Sequence, residues 1–118
     1  MNLITNPPEY EECLALVSYL QYLNIPFAHI HQEWWTTSWK QKNRAKALGV
    51  SPGVPDYMIV LPDKLLFIEM KRRKGGQVSE HQKKWIEILN NIDNKNKIEA
   101  VVCKGFDEAK KIIDNYKC

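Results

Sequence analysis

The sequence predicts an α/β domain. Segments with apolar residues at helical spacing alternate with short apolar runs bounded by turn residues, in the order α-β-(loop)-β-β-α-β-α. A length of 118 residues is one domain's worth of chain, so residues 1–118 are read as a single domain. At 44% hydrophobic and 26% charged the composition suits an ordinary globular core and excludes disorder, collagen and low-complexity repeats.

The elements follow in chain order. After Pro7-Pro8, Leu14, Leu16, Val17, Leu20 and Leu23 form a stripe close to helical period, and Glu9, Glu11 and Glu12 crowd the start, where acids complement the helix dipole. Pro26 is expected to end this helix, with Ile25 to Ile30 a short first strand. Residues 31–50, with Trp34, Trp35 and Trp39 among basic residues, read as a loop with some helix. Ser51-Pro52-Gly53-Val54-Pro55 is turn chemistry before a strand from Asp56 to Leu61, and Pro62-Asp63-Lys64 connects it to a strand from Leu65 to Lys71 as a hairpin. Ser79 and Gln82 have capping-box spacing for a helix to about Asn91, its apolar face Trp85, Ile86, Ile88 and Leu89. Ile98 to Cys103 is a further strand, and Asp107 to Tyr116 a closing helix.

Several function classes drop out. No apolar run approaches the roughly 20 residues of a membrane span, and the N-terminus lacks a basic region followed by an apolar stretch, so neither a membrane nor a secreted protein is expected. Cys13, Cys103 and Cys118 are far apart and odd in number, which fits free thiols in a reducing cytoplasm better than a disulfide framework or a zinc site. A net charge of +3 permits an anionic partner without demanding one.

The hairpin carries the chemistry. Strand side chains alternate faces, so Glu69 and Lys71 point the same way, and an antiparallel partner can bring Asp56 beside them. Two carboxylates are hard oxygen ligands of the kind Mg²⁺ or Mn²⁺ takes, and a lysine beside them can orient or deprotonate a water or offset charge on phosphorus. An isolated Glu-x-Lys pair is common on exposed strands. Here it follows the apolar Phe67-Ile68, the acid follows a sharp turn, and a basic loop comes next.

Gly53-Val54-Pro55-Asp56, then Phe67-Ile68-Glu69-Met70-Lys71, then Ser79-x-x-Gln82-x-x-Trp85 resembles the VRR-Nuc family of the PD-(D/E)xK nuclease superfamily. The likeness runs nearly end to end. Glu9 to Val17 is similar to the family's first helix, His29 to Glu33 to its first strand and exit, and Lys104 to Ala109 to its closing strand-to-helix turn.

The resemblance implies a restriction-endonuclease-like core, α-β-β-β-α-β-α, with a central mixed sheet flanked by helices. It also implies dependence on Mg²⁺ or Mn²⁺ with no organic cofactor, and endonuclease action on branched, Holliday-junction-like DNA as a homodimer. Carried over, Asp56 and Glu69 are metal ligands, the Met70 backbone carbonyl is a further one, Lys71 is the catalytic lysine and Gln82 the family's glutamine. Glu9 is taken as the first-helix acid and metal ligand, with Glu11 and Glu12 as alternatives; Gln32 stands where the family often has Asn. By analogy a compact stand-alone nuclease suits a phage or mobile element.

Arg72, Arg73 and Lys74 directly follow Lys71, where an entering phosphate backbone would meet them, and Gln77 and Ser79 lie just beyond. Lys42 and Arg44 are further candidate DNA contacts, although the set Lys40, Lys42, Arg44 and Lys46 could equally be a solvated helix face. The tryptophans at 34, 35 and 39 read as core or interface anchors ahead of base stacking, His29 and His31 as structural, and His81 as exposed or near DNA. The alternatives are a binding module that holds branched nucleic acid without cutting, and a flap or restriction-type endonuclease.

Overall fold

The computed structural model describes residues 6–30, 38–92, 95 and 97–116. Its elements run α1 (Glu9–Tyr22), β1 (Phe27–His29), α2 (Trp39–Ala47), β2 (Tyr57–Leu61), β3 (Lys64–Lys71), α3 (Glu80–Asn90), β4 (Ile98–Lys104) and α4 (Phe106–Tyr116). The sheet order is β1-β2-β3-β4; β1 and β3 pair antiparallel with β2, and β4 pairs parallel with β3. Parallel pairing needs a crossover, and α3 supplies it. The expected α/β fold with a mixed sheet flanked by helices is present.

Strand alternation sorts the two faces. Ile59 and Leu61 of β2 and Leu66, Ile68 and Met70 of β3 are buried with Leu16 and Leu20 of α1 and Ala109 and Ile113 of α4. Each such large side chain stabilises the fold by about 1.5–3 kcal/mol relative to exposure. The register Tyr57↔Ile68 sets Asp56, one residue before Tyr57, on the side of Glu69, away from this core. That side is met by α3, none of whose residues is fully buried.

Some boundaries differ from the expectation, each for a local reason. Asn24, at φ 57°, turns the chain left-handed, and the Ile25 N–H donates to the Leu20 carbonyl. The stop of α1 is therefore a left-handed C-terminal turn, with Pro26 beyond it. The first strand is shorter than Ile25 to Ile30, and the basic stretch forms α2. Trp39 is 78% exposed, which overturns the core reading for it. His31, Gln32, Glu33, Trp34, Trp35 and Cys118 lie outside the described residues. Among the described residues no helix is long and apolar enough to cross a membrane.

The free edge of β4 is closed by a side chain. The Asn90 amide donates to the Ala100 carbonyl at 2.9 Å and accepts from the Ala100 N–H at 2.7 Å, imitating a neighbouring strand.

Candidate active site

The C-terminal end of β3 is where the chemistry-bearing residues meet. Glu69 and Lys71 emerge there on one side of the sheet, with the Lys71 Nζ 3.5 Å from Glu69 Oε2 and both side chains largely buried. Asp56 arrives from the turn ahead of β2, and its Oδ2 accepts the Met70 N–H at 2.9 Å. The Lys71 carbonyl accepts from the Gly105 N–H at 2.9 Å, which anchors the strand end to the β4–α4 turn.

The turn that delivers Asp56 depends on glycine. Gly53 has φ +89°, and a Cβ there would lie 2.4 Å from the His81 carbonyl carbon and 2.6 Å from the Gln82 nitrogen. The turn thus packs directly on the first turn of α3, and any side chain at 53 would push the two apart. This contact ties Asp56 to the helix that carries Gln82.

Gln82 is oriented from both ends of its amide. Ser79 and Gln82 form the expected capping box: the Ser79 hydroxyl accepts from the Gln82 N–H at 3.1 Å and Gln82 Oε1 accepts from the Ser79 N–H at 2.9 Å. With Oε1 engaged, the amide Nε2 is turned toward Glu69 and donates to Oε2 at 3.0 Å. Helix initiation and carboxylate positioning use the same side chain.

The cluster is short of positive charge. Glu69 is 3% exposed, and its Oε1 is buried with no hydrogen-bond partner among the described residues. Burial first, and then the Asp56 charge, push the Glu69 carboxyl up to about 8. Burial also raises Asp56, offset by the Met70 N–H and by the charges of His29 and Lys71. Glu9 is raised by burial and by Asp56, while Lys71 opposes the shift. Among the described residues no three His, Cys, Asp or Glu side chains converge closely enough to enclose a metal by themselves.

The three acids of the first turn of α1 separate cleanly. Glu9 faces the cluster and lines a cleft of about 530 Å³ with Cys13, His29, Asp56 and Tyr57. Glu11 points to solvent. Glu12 is 2% exposed and accepts from Arg73 Nε at 2.7 Å and from the Phe106 N–H at 3.0 Å. It joins α1, the end of β3 and the start of α4. Gly105, at φ +91°, leaves room for this joint, since a Cβ there would lie 2.7 Å from Arg73 Cγ.

The basic loop after Lys71 is less free than its sequence suggests. Arg73 is held by Glu12, and Arg72 Nη2 donates to the Asn6 carbonyl at 2.9 Å. The Lys74 main chain is bound on both sides by the Asn6 amide, while its side chain is exposed, as is Gln77. Ser79 is exposed but committed to its cap. Lys42 and Arg44 lie on α2 and His81 at the start of α3, all exposed. Burial pushes the Cys13 thiol up to about 11, which disfavours the thiolate at neutral pH.

A family model, the VRR-NUC domain, matches residues 14–107. This chain belongs to the VRR-NUC domain family. It is thereby of a nuclease-type family, with DNA the substrate the family implies. A solved structure described as a VRR_NUC domain protein is similar to it with a TM-score of 0.72 and 23% sequence identity, covering 98% of this chain and 90% of that one. That likeness shows the shared fold. No curated protein matches. In this VRR-NUC domain the match spans Asp56, Glu69, Lys71 and Gln82 and begins after Glu9 and Glu12.

Proposed function

We propose that this VRR-NUC domain is a metal-dependent endodeoxyribonuclease that hydrolyses phosphodiester bonds in branched DNA as a homodimer. The observation that carries the reading is the convergence of Asp56, Glu69 and Lys71 around a buried carboxylate oxygen that lacks a donor. An orphaned Glu69 Oε1 beside a raised Asp56 is chemically suited to a divalent cation, which would satisfy the one and relieve the repulsion of both. Asp56, Glu69 and the Met70 carbonyl would hold it, with Glu9 alongside. A bound Mg²⁺ or Mn²⁺ supplies Lewis-acid polarisation of the phosphate and a more acidic water.

The chain's own residues do the rest. Met70 N–H fixes Asp56 through Oδ2, and Gln82 fixes Glu69 through Oε2, so neither carboxylate must reorganise on binding. The Lys71 ammonium, held beside Glu69, orients the attacking water in line with the scissile bond and offsets charge developing on the phosphoryl oxygens. Cleavage then leaves a 5′-phosphate and a 3′-hydroxyl. Arg72, Lys74 and Gln77 border the path by which a strand would reach Lys71, with Ser79, Lys42 and Arg44 further out and Arg73 supporting the loop from Glu12. Exposed Ile88 on α3 and Ile92 just past its end support the homodimer as apolar surface a partner copy would cover.

The test is cleavage of a labelled four-way junction, flap, single strand and plain duplex in Mg²⁺, Mn²⁺ or EDTA. Paired cuts in the junction that need a metal are expected. Binding with no cutting under either metal would instead favour a structure-selective binding module.

A further inference from the structure

Like α3, the helix α2 has no fully buried residue, but it also lacks the half-buried apolar face that Trp85, Ile86 and Leu89 give α3. Within α2 Trp39 is 78% exposed, and Leu48 just past its end is 86% exposed. It has no acidic residue, and Lys40, Lys42, Arg44 and Lys46 form no ion pair among the described residues. A short helix that is polar all round lacks the apolar packing that normally holds one. Helix α2 is capped at both ends, by the Ser38 hydroxyl, which accepts from the Gln41 N–H at 3.3 Å, and by the Val50 N–H, which donates to the Ala45 carbonyl at 2.9 Å.

Only Ala45 within α2 is partly covered, and that fixes the inward side. At about 100° per residue, Trp39, Lys40 and Asn43 then project outward, with Lys46 and Arg44 on the flanks. An indole framed by cations is thus presented to whatever approaches. A symmetric contact with α2 of a second copy would set these cations against their equivalents, which disfavours self-association through this surface. A polyanion with exposed aromatic faces complements it.

We propose that α2 is a nucleic-acid grip that separates branched DNA from plain duplex. Its cations take backbone phosphates, and Trp39 stacks on a base left unpaired at the branch. In a continuous duplex every base is already stacked, so only the phosphate part of the grip is available there. The inference rests on the proposed reading that branched DNA is the substrate.

The experiment is binding of the full chain, in EDTA so that cutting plays no part. One probe is a four-way junction with a single unpaired 2-aminopurine at the branch, and the other a fully paired duplex of equal length. Trp39→Ala is expected to weaken the junction complex by about 5- to 150-fold. The same variant should hold the duplex within about twofold, because phosphate neutralisation dominates there. Trp39→Phe should restore most of the affinity, and the parent but not Trp39→Ala should quench the aminopurine. Gln at positions 40, 42, 44 and 46 should flatten the salt dependence on both probes, by about 0.9 in log–log slope for each phosphate that is no longer neutralised.

Junction binding by Trp39→Ala equal to the parent overturns the proposal. So does equal weakening on both probes, or a change in molecular mass by light scattering, which would make Trp39 a protein–protein anchor. A chain that grips the unpaired base yet never cuts would retire the endonuclease reading and leave this one standing. A chain that cuts junctions normally with Trp39→Ala would do the reverse.

Discussion

The end of β3 and the helix α2 are opposite solutions to placing charge. At the β3 end the buried charged groups are held by the fold: Glu69 by Gln82, Asp56 by the Met70 N–H, Glu12 by Arg73 and the Phe106 N–H. On α2 four cations and an indole are presented with no residue of the helix buried. Bond making and breaking needs groups fixed before substrate arrives, whereas gripping a variable branched structure tolerates groups that settle on binding. The contrast predicts that substitutions at the β3 end act on rate, cation response and stability, and those on α2 on DNA affinity alone.

The largest effect is expected for Asp56→Ala. It should lower cleavage by at least about 10³-fold, near the upper range for loss of one catalytic group, and abolish the response to added Mn²⁺. Circular dichroism should show the fold retained. Next comes Gln82→Ala, which leaves Glu69 without its amide donor and should cost about 10- to 100-fold in cation affinity or rate, read as a shifted Mn²⁺ titration. A full loss at saturating cation would show instead that Gln82 touches the reacting groups.

Glu12→Ala addresses the joint beneath the site. It strands the Phe106 N–H and should cost about 1–3 kcal/mol by the denaturant midpoint, while Glu12→Gln, which keeps an acceptor, should cost less. The last effect is in pH. Glu69 stands at about 8 in the cation-free fold against an ordinary 4.5, so between those values the folded state binds more protons than the unfolded one. Stability of the cation-free protein should therefore fall as pH rises through that window, and Glu69→Gln should flatten the slope. Cation binding in the same window should release protons, measurable by titration calorimetry in buffers of different ionisation enthalpy.

What could be seen in advance was local. Asp56, Glu69 and Lys71 belong to one hairpin, where strand alternation alone puts them on one side, and Gln82 announces itself by the spacing from Ser79. The rest required distant contacts. Three acids within one turn of α1 look equivalent until α1 is rotated against the sheet, which turns Glu9 to the cluster and buries Glu12. Arg73, adjacent to Lys71 in sequence, reads as a phosphate ligand and is found on Glu12, while Asn90 gives no hint in sequence that it closes the β4 edge. Helix α2 was legible only as some helix within a loop, without bounds: with no apolar stripe, its residues carry no period to read.

The central claim is that the buried Asp56, Glu69 and Lys71 cluster cuts DNA with a divalent cation. Single-turnover cleavage of a labelled four-way junction in Mn²⁺, with Lys71→Ala and Glu69→Gln run beside the parent and bound fraction measured in the same reactions, tests it most directly. All three proteins are expected to bind the junction within a few fold, and only the parent to cut it. Cutting by either variant at the parent's rate would contradict that claim.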